Sequence, residues 1–204
     1  MNELERMLSG GRRDDGAARA AARRFAARAS DAGLVDVAYG TVETPLGELT
    51  VAVTPRGLVR IAYPERDLDS VLGELASRVS PRVLELPARL DDVRRQLDEY
   101  FSGRRRIFDL RIDWALEHGF TERVLRATAA IPSGELASYR DVATRAGSPA
   151  AVRAAGNALG ANRIPIVVPC HRVVRTGGAL GGYTGGIERK RFLLELEGSL
   201  PDAG

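Results

Sequence analysis

The sequence predicts an α+β fold with a small N-terminal domain of strands and helices and a C-terminal winged helix-turn-helix domain. Strand-like runs of apolar and β-branched residues between 41 and 63 are followed by amphipathic helices. Beyond residue 119, short helices with a tight glycine turn precede a glycine-rich loop. We therefore expect a mobile extension over 1–35, an α+β domain over 36–118 and a winged-helix domain over 119–204.

The N-terminal elements follow from local patterns. Alanine and arginine, both good helix formers, dominate residues 17–29 and favour a helix there. Strands are predicted at 41–44 and 49–53 around a turn containing Pro45 and Gly47, with a third strand at 57–63. Apolar spacing then predicts helices over 68–75 and 90–101, the second ending before Gly103.

The C-terminal elements carry clearer start signals. A helix is predicted over 121–130, and the capping box Ser138-x-x-Asp141 opens another that ends at Gly147. Ser148 followed by Pro149 predicts the N-cap of a third helix reaching about residue 160. The β-branched run 164–168 predicts a buried strand with Cys170 at its end, and a closing helix is expected over 188–197.

Composition excludes several classes of protein. No apolar run approaches the roughly 20 residues of a membrane span, and the acidic residues near the N-terminus argue against a targeting leader, so we expect a cytoplasmic protein without membrane contact. One cysteine and two histidines exclude an internal disulfide and disfavour a metal site. Residues 119–204 carry eleven basic against seven acidic residues, a net +4, which favours an anionic partner.

The single cysteine is either a packed core residue or a nucleophile. A thiol attacks as its thiolate, and a neighbouring histidine lowers the thiol pKa. His171 follows Cys170 directly but faces away along a strand, so it would reach the sulfur only through a turn or a bridging water. A carboxylate is expected to orient His171, and spacing alone leaves Glu188, Glu195 and Glu197 as candidates.

A longer constellation resembles the O6-alkylguanine-DNA alkyltransferase family. Its centre is Pro169-Cys170-His171-Arg172-Val173, with Asn162 and Ser138-Tyr139 upstream. The likeness continues through Gly178-x-Leu180-Gly181-Gly182-Tyr183-x-Gly185-Gly186 and Lys190 to Leu193-Leu194-x-x-x-Glu197-Gly198. Residues 44–47 and Tyr100-Phe101-x-Gly103 match more loosely. The resemblance implies a ribonuclease-H-like N-terminal domain and a C-terminal domain that carries the reactive cysteine.

The resemblance also implies a reaction and a role for each matching residue. Cys170 would irreversibly accept the alkyl group of an O6-alkylguanine flipped out of double-stranded DNA, once per molecule, without a cofactor or metal. Catalysis would further involve the side chains of His171 (through a water), Glu197, Tyr139 and Asn162. The substrate pocket would be lined by Tyr183, Thr184 and Val173. Arg153 would fill the gap left in the base stack, and Tyr139 would also bind DNA. Contacts to the DNA backbone would come from Thr121, Arg140, Ser148 and Thr176.

Two other classes stay open on the sequence. A winged-helix DNA-binding protein without transferase activity would explain the helices and the basic C-terminal part, but not the Cys-His-Glu set. A cysteine hydrolase would need an oxyanion hole, for which the sequence gives no candidate. Family likeness further implies a monomer, and the single cysteine rules out the four-cysteine zinc domain of some relatives.

Overall fold

The computed structural model describes residues 15–200, beginning with helix α1 (Asp15–Asp31). The N-terminal part then contains strands β1 (Val37–Val42), β2 (Leu49–Thr54) and β3 (Gly57–Ala62), helix α2 (Leu68–Arg78), strand β4 (Val83–Glu85), a 3₁₀ turn (Pro87–Leu90) and helix α3 (Asp91–Phe101). The C-terminal part contains α4 (Gly119–Ala129), β5 (Ala137–Ser138), α5 (Tyr139–Arg145), α6 (Val152–Gly160), a 3₁₀ turn (Cys170–Arg172), β6 (Val173–Val174) and α7 (Ile187–Glu197). The predicted α+β class is confirmed.

The N-terminal sheet has the strand order β3-β2-β1-β4, with β4 parallel to β1 and the other pairs antiparallel. The predicted hairpin is present, but its first strand begins at Val37 and the prediction of a strand over 41–44 was wrong at both ends. Thr44 belongs to the turn, because its backbone N–H and its hydroxyl both donate to the carbonyl of Gly47. Strand β4 has only three residues and gave no alternating pattern to find it by.

The two faces of the sheet pack against different partners. Successive residues of a strand point to opposite faces. Val51 and Val53 thus join the large core that also contains Cys170 and α7, while Ala52 joins a smaller cluster with Val71 of α2. The large core spans the N-terminal and C-terminal parts, so the sheet supports the segment that bears the cysteine.

The helical pair α5–α6 confirms one predicted boundary and corrects another. Ser138 caps α5 with the predicted capping box to Asp141. Ser148 is not the N-cap of the next helix: its N–H donates to Ala143, and Gly147 adopts φ +80°, so both residues close the end of α5. A turn follows, and α6 begins only at Val152.

The predicted strand over 164–168 is wrong. The segment folds into turns, with Val168 N–H donating to Ile164 and Cys170 starting a 3₁₀ turn. Pro165 lies within the run and Pro169 directly follows it, and proline cannot donate to a strand ladder. Ile166 has φ +76°, the one non-glycine residue among 15–200 in the left-handed region.

The alanine-rich helix α1 covers the predicted helix at 17–29. Ala26 is 4% exposed and packs into the large core, so this part of the extension contacts the N-terminal sheet domain. Residues 1–14 lie outside the described residues, and mobility of the extension stays a prediction. Within residues 15–200, every helix falls short of the length or the hydropathy that spanning a membrane requires.

Candidate active site

The sulfur-bearing residue Cys170 lines a cavity of about 360 Å³ in the C-terminal part. The start of α5 contributes Tyr139, α6 contributes its last two turns, and the glycine-rich loop contributes the opposite wall. The lining residues are Tyr139, Gly156, Leu159, Gly160, Cys170, Gly182, Tyr183 and Thr184. A cavity of this size can hold a small organic ligand.

Cys170 is 5% exposed and is held by Asn162. The Asn162 Nδ2 donates to Sγ at 3.0 Å and to the carbonyl of Val168 at 2.9 Å, while its Oδ1 accepts from the Ile164 N–H at 3.0 Å. Burial raises the pKa of the Cys170 thiol to about 11, although the hydrogen bond from Asn162 and the charge of Lys190 act to lower it. The free protein therefore holds a thiol, contrary to the expectation of a lowered pKa.

Glu197 is the carboxylate that orients His171; Glu188 and Glu195 are exposed. Its Oε1 lies 3.0 Å from His171 Nε2 and accepts from the Tyr100 hydroxyl at 2.7 Å. Arg172 donates to both carboxylate oxygens at 2.8 Å. Burial alone would raise the pKa of Glu197, but the hydrogen bonds from His171 and Arg172 outweigh it and lower the pKa to about 2.

These charges fix the tautomer of His171. Burial lowers the pKa of His171, against the opposing effect of Glu197, so the imidazole is neutral. An ionised carboxylate only accepts hydrogen bonds, which makes Nε2 the donor and leaves Nδ1 with a free lone pair. Nδ1 is buried and has no hydrogen-bond partner among the described protein atoms. The imidazole thus presents a base on the side away from Glu197.

The remaining pocket residues differ in how closely they fit their expected roles. Tyr139 is half-buried, with its hydroxyl 3.5 Å from the carbonyl of Gly182. The hydroxyls of Tyr183 and Tyr63 share a 2.7 Å hydrogen bond, and Thr184 Oγ1 donates to the Gly160 carbonyl. Val173 lies in β6, fully buried and outside the residues that line the cavity.

The residues expected to contact DNA lie on the helical pair and its surroundings. Arg153 is exposed on the first turn of α6, and Arg140 is exposed on α5. Neither side chain forms an ion pair with another residue in 15–200. Ser148 and Thr121 are half-buried, and Thr176 is exposed in the glycine-rich loop. The two arginines are thus free to meet an external anion.

Sequence reasoning gave no role to four residues that the structure places around the site. Tyr100 and Arg172 bind Glu197, and Tyr63 binds Tyr183. Lys190 is fully buried; its Nζ donates to the carbonyls of Val173, at 2.6 Å, and Leu180. The only local sequence signal was that Lys190 occupies a position of α7 where the amphipathic pattern predicts a buried residue.

Comparison with known proteins agrees with this geometry. The family models for the 6-O-methylguanine DNA methyltransferase DNA binding domain and ribonuclease-like domain match residues 119–199 and 37–114. The methylated-DNA–protein-cysteine methyltransferase of Mycobacterium tuberculosis (strain ATCC 25618 / H37Rv) is 40% identical over 161 residues, covering 79% of this chain and 92% of its own length. The constitutive enzyme of Bacillus subtilis (strain 168) is 39% identical over 165 residues, covering 78% and 94%.

Among solved structures, Mycobacterium tuberculosis OGT in complex with DNA superposes with a TM-score of 0.68 at 39% identity, covering 79% of this chain and 93% of that one. The Mycobacterium tuberculosis O6-methylguanine methyltransferase also superposes with a TM-score of 0.68, at 38% identity. Two family models and these relatives together span both parts of the molecule. The chain therefore belongs to the family of methylated-DNA–protein-cysteine methyltransferases.

Proposed function

We propose that this protein repairs DNA by transferring the alkyl group of O6-alkylguanine in a duplex to the Sγ of Cys170. The observation that carries the proposal is the position of the lone cysteine on a small cavity, directly beside a buried His171–Glu197 pair. A thioether does not readily reverse, so each molecule acts once. The proposal includes no cofactor and no metal, and it assigns the protein to the cytoplasm as a monomer.

The proton on Cys170 must leave during the reaction, because the thiol is protonated in the free protein. We assign its removal to His171 Nδ1, acting through one bridging water, with Glu197 stabilising the imidazolium that forms. The S–C bond forms as the C–O6 bond breaks, and the electron pair stays on the purine. Tyr139 donates a proton to the departing purine, and the proton that His171 took from Cys170 then restores the Tyr139 hydroxyl through water, so that one alkyl group is exchanged for one proton overall.

The target atom lies inside the duplex, so the nucleotide must be turned out into the cavity. Flipping costs a few kcal/mol, less for a damaged pair. We assign Arg153 to the vacated space in the stack, where it offsets part of that cost. Small residues on the accessible side of α6, the exposed Ala154 and the half-buried Gly156, allow the helix to approach DNA closely. Thr121, Arg140, Ser148 and Thr176 are assigned to the phosphate backbone.

The test is a mass measurement after mixing the protein with a duplex that contains one O6-methylguanine. We expect a gain of one methyl group, confined to the peptide with Cys170, and no gain for Cys170→Ser. Glu197→Gln should slow the transfer about 100-fold or more, since it removes the charge that supports the base. Glu195→Gln, exposed on the same helix, is the matched control.

The alternative outcome identifies the competing class. A protein that binds the damaged duplex with no change of mass would be a winged-helix DNA-binding protein without transferase activity. Substrate range belongs to the same experiment: duplexes with larger O6-alkyl groups report how much space the cavity offers beyond a methyl group.

A further inference from the structure

Arg60 is a buried cation whose hydrogen-bonding capacity is largely unused. It lies on β3, is 8% exposed, and its Nε has no hydrogen-bond partner among the described residues. Its one ion-pair contact there joins a terminal nitrogen to Glu74 Oε2 at 3.8 Å, beyond hydrogen-bond distance. A buried guanidinium that forms no hydrogen bond is costly, and a ligand from outside the protein could satisfy its N–H groups.

Arg60 faces a cleft of about 260 Å³ between β3 and the segment that follows α6. Arg66 and Arg163 line the same cleft, together with Glu74. Glu74 accepts hydrogen bonds on Oε1 only, from Arg163 at 2.7 Å and from Arg78 at 3.1 Å. One carboxylate is thus shared among three arginines, and its Oε2 stays 3.8 Å from Arg60.

The charge balance of this cluster is positive. Four arginines (Arg60, Arg66, Arg78 and Arg163) meet two carboxylates (Glu74 and Glu117), a surplus of two positive charges. The pKa of Arg60 is lowered, mainly by burial and further by the like charges of Arg163 and Arg66. The negative charge of Glu74 acts in the opposite direction and raises this pKa. Bringing an anion into the cleft would relieve that repulsion and satisfy the free N–H groups.

The cleft adjoins the cavity of the candidate active site. Gly160 and Thr184 line both, and the Thr184 hydroxyl donates to the carbonyl of Gly160 between them. An anion seated here would lie beside a nucleotide that occupies the Cys170 cavity. The anions closest to such a nucleotide are the phosphates of its own strand.

We propose that the cleft lined by Arg60, Arg66 and Arg163 binds a phosphate group, and that this group belongs to the backbone of the DNA strand that carries the alkylated guanine. The guanidinium fork suits phosphate oxygens. The assignment to DNA rests on the proposed function. It extends the nucleic-acid interface from the helical part to the N-terminal sheet, through residues outside the helix-turn-helix.

The first experiment measures the affinity for damaged duplex as a function of NaCl concentration. Neutralising one phosphate contact should reduce the slope of log Kd against log salt by about 1. We expect this reduction, with roughly tenfold weaker binding at low salt, for Arg60→Gln and for the exposed variant Arg66→Gln. Arg94→Gln, which removes an equal charge from α3, should retain the wild-type slope.

The second experiment omits DNA and measures thermal unfolding with inorganic phosphate or chloride at equal ionic strength. Phosphate should raise the Tm of the wild-type protein but not that of Arg60→Gln. Without phosphate, Arg60→Gln should unfold no earlier than the wild type, since it removes a buried charge that forms no hydrogen bond; a purely structural arginine would lower the Tm.

The outcomes separate the possibilities. Protection by phosphate with an unchanged salt slope would keep the site but overturn its assignment to DNA in favour of a free phosphate. No protection, with slopes equal to that of Arg94→Gln, would overturn the site altogether. A wild-type protein that binds DNA but never gains the methyl group would instead contradict the proposed function, whatever the phosphate experiment gives.

Discussion

At the residue scale, the thiol of Cys170 is held in its protonated form. Because burial raises its pKa to about 11, the folded protein should react with iodoacetamide about 100-fold more slowly at pH 7 than an ordinary cysteine of pKa 9. The rate should still be rising at pH 10. Mass spectrometry over time measures the reaction cleanly, since the chain has one cysteine.

The reference for this reaction is the same chain unfolded in urea, whose thiol should follow the ordinary titration. A folded-state rate that levels off near pH 7 would mean that the thiolate is already present before DNA binds, and the proton transfer assigned to His171 would then be unnecessary.

The ionisation of Glu197 makes the free energy of unfolding depend on pH. Its pKa of about 2 lies below the ordinary 4.5, so its contribution to stability is complete above pH 4.5 and is lost as the pH falls toward 2. A shift of this size corresponds to about 3 kcal/mol. Urea unfolding should show Glu197→Gln to be less stable than the wild type at pH 7, with the difference shrinking by pH 3. An equal difference at both pH values would contradict the linkage.

Sequence spacing left three carboxylates open as the partner of His171, and the burial of one side of α7 decides for Glu197. Lys190, Leu193, Leu194 and Glu197 recur with helical spacing, and all four are buried on one side of α7. Two charged residues on an apolar face indicate that both have polar partners inside. The partner Tyr100 had no such signal, because it lies 97 positions away and reaches Glu197 only through the tertiary fold.

At the element scale, α6 carries the residue assigned to the gap in the base stack. Arg153→Ala should slow methyl transfer from duplex DNA about tenfold, because nothing then offsets the cost of flipping. Transfer from the free base O6-methylguanine needs no flipping and should proceed at the wild-type rate. Single-turnover rates with both substrates check this.

The comparison with the free base also serves as the control for Arg153→Ala. If both substrates slowed equally, Arg153 would be supporting the pocket rather than replacing the base. If neither slowed, α6 would not enter the duplex as assigned.

Element boundaries were predictable where one residue's chemistry decides them. Ser138 and Asp141 fixed the start of α5 because each side chain caps the other's backbone. The N-cap prediction for Ser148 was wrong because this serine follows the glycine that ends α5 and its N–H bonds to that helix. Serine occurs after the end of a helix as well as before the start of one. The strand predicted at 164–168 was wrong because β-branched residues also fill buried turns, and because Pro165 within the segment and Pro169 after it cannot donate to a strand ladder.

At the scale of the whole molecule, the two parts share one core, so they should unfold together. Leu97 of α3 is fully buried in the cluster that also contains Cys170 and Leu193. Leu97→Ala should lower the free energy of unfolding by about 2–5 kcal/mol. In a urea titration, residual methyl transfer and the far-UV circular dichroism should lose their signals at the same, lowered midpoint.

Separated midpoints for activity and secondary structure would show that the sheet part unfolds independently of the Cys170 segment. Val124→Ala, a fully buried position on α4 in the same cluster, provides the matched truncation from the C-terminal side. It should shift both signals in the same way as Leu97→Ala.

Contacts between the two parts lay beyond sequence reasoning. The hydroxyls of Tyr63 and Tyr183 meet from positions 120 residues apart, and Arg60 reaches its cleft only because β3 packs beside the segment after α6. Periodicity reports which face of an element is buried, but it does not report what covers that face. The family motif located the cysteine, whereas the N-terminal residues that support its surroundings, Tyr63 behind Tyr183 and Tyr100 behind Glu197, follow only from the tertiary fold.

The left-handed backbone at Ile166 has a consequence for how Cys170 is carried. A non-glycine residue in this region costs on the order of 1–3 kcal/mol, and full burial of an isoleucine side chain returns about 1.5–3 kcal/mol. These two free-energy terms nearly cancel. Ile166→Gly would therefore remove the backbone strain but leave a cavity where the isoleucine side chain packs. The position of Cys170 Sγ thus depends on side-chain packing beneath a strained loop. Relaxing that loop would misplace the sulfur while changing the stability of the protein little.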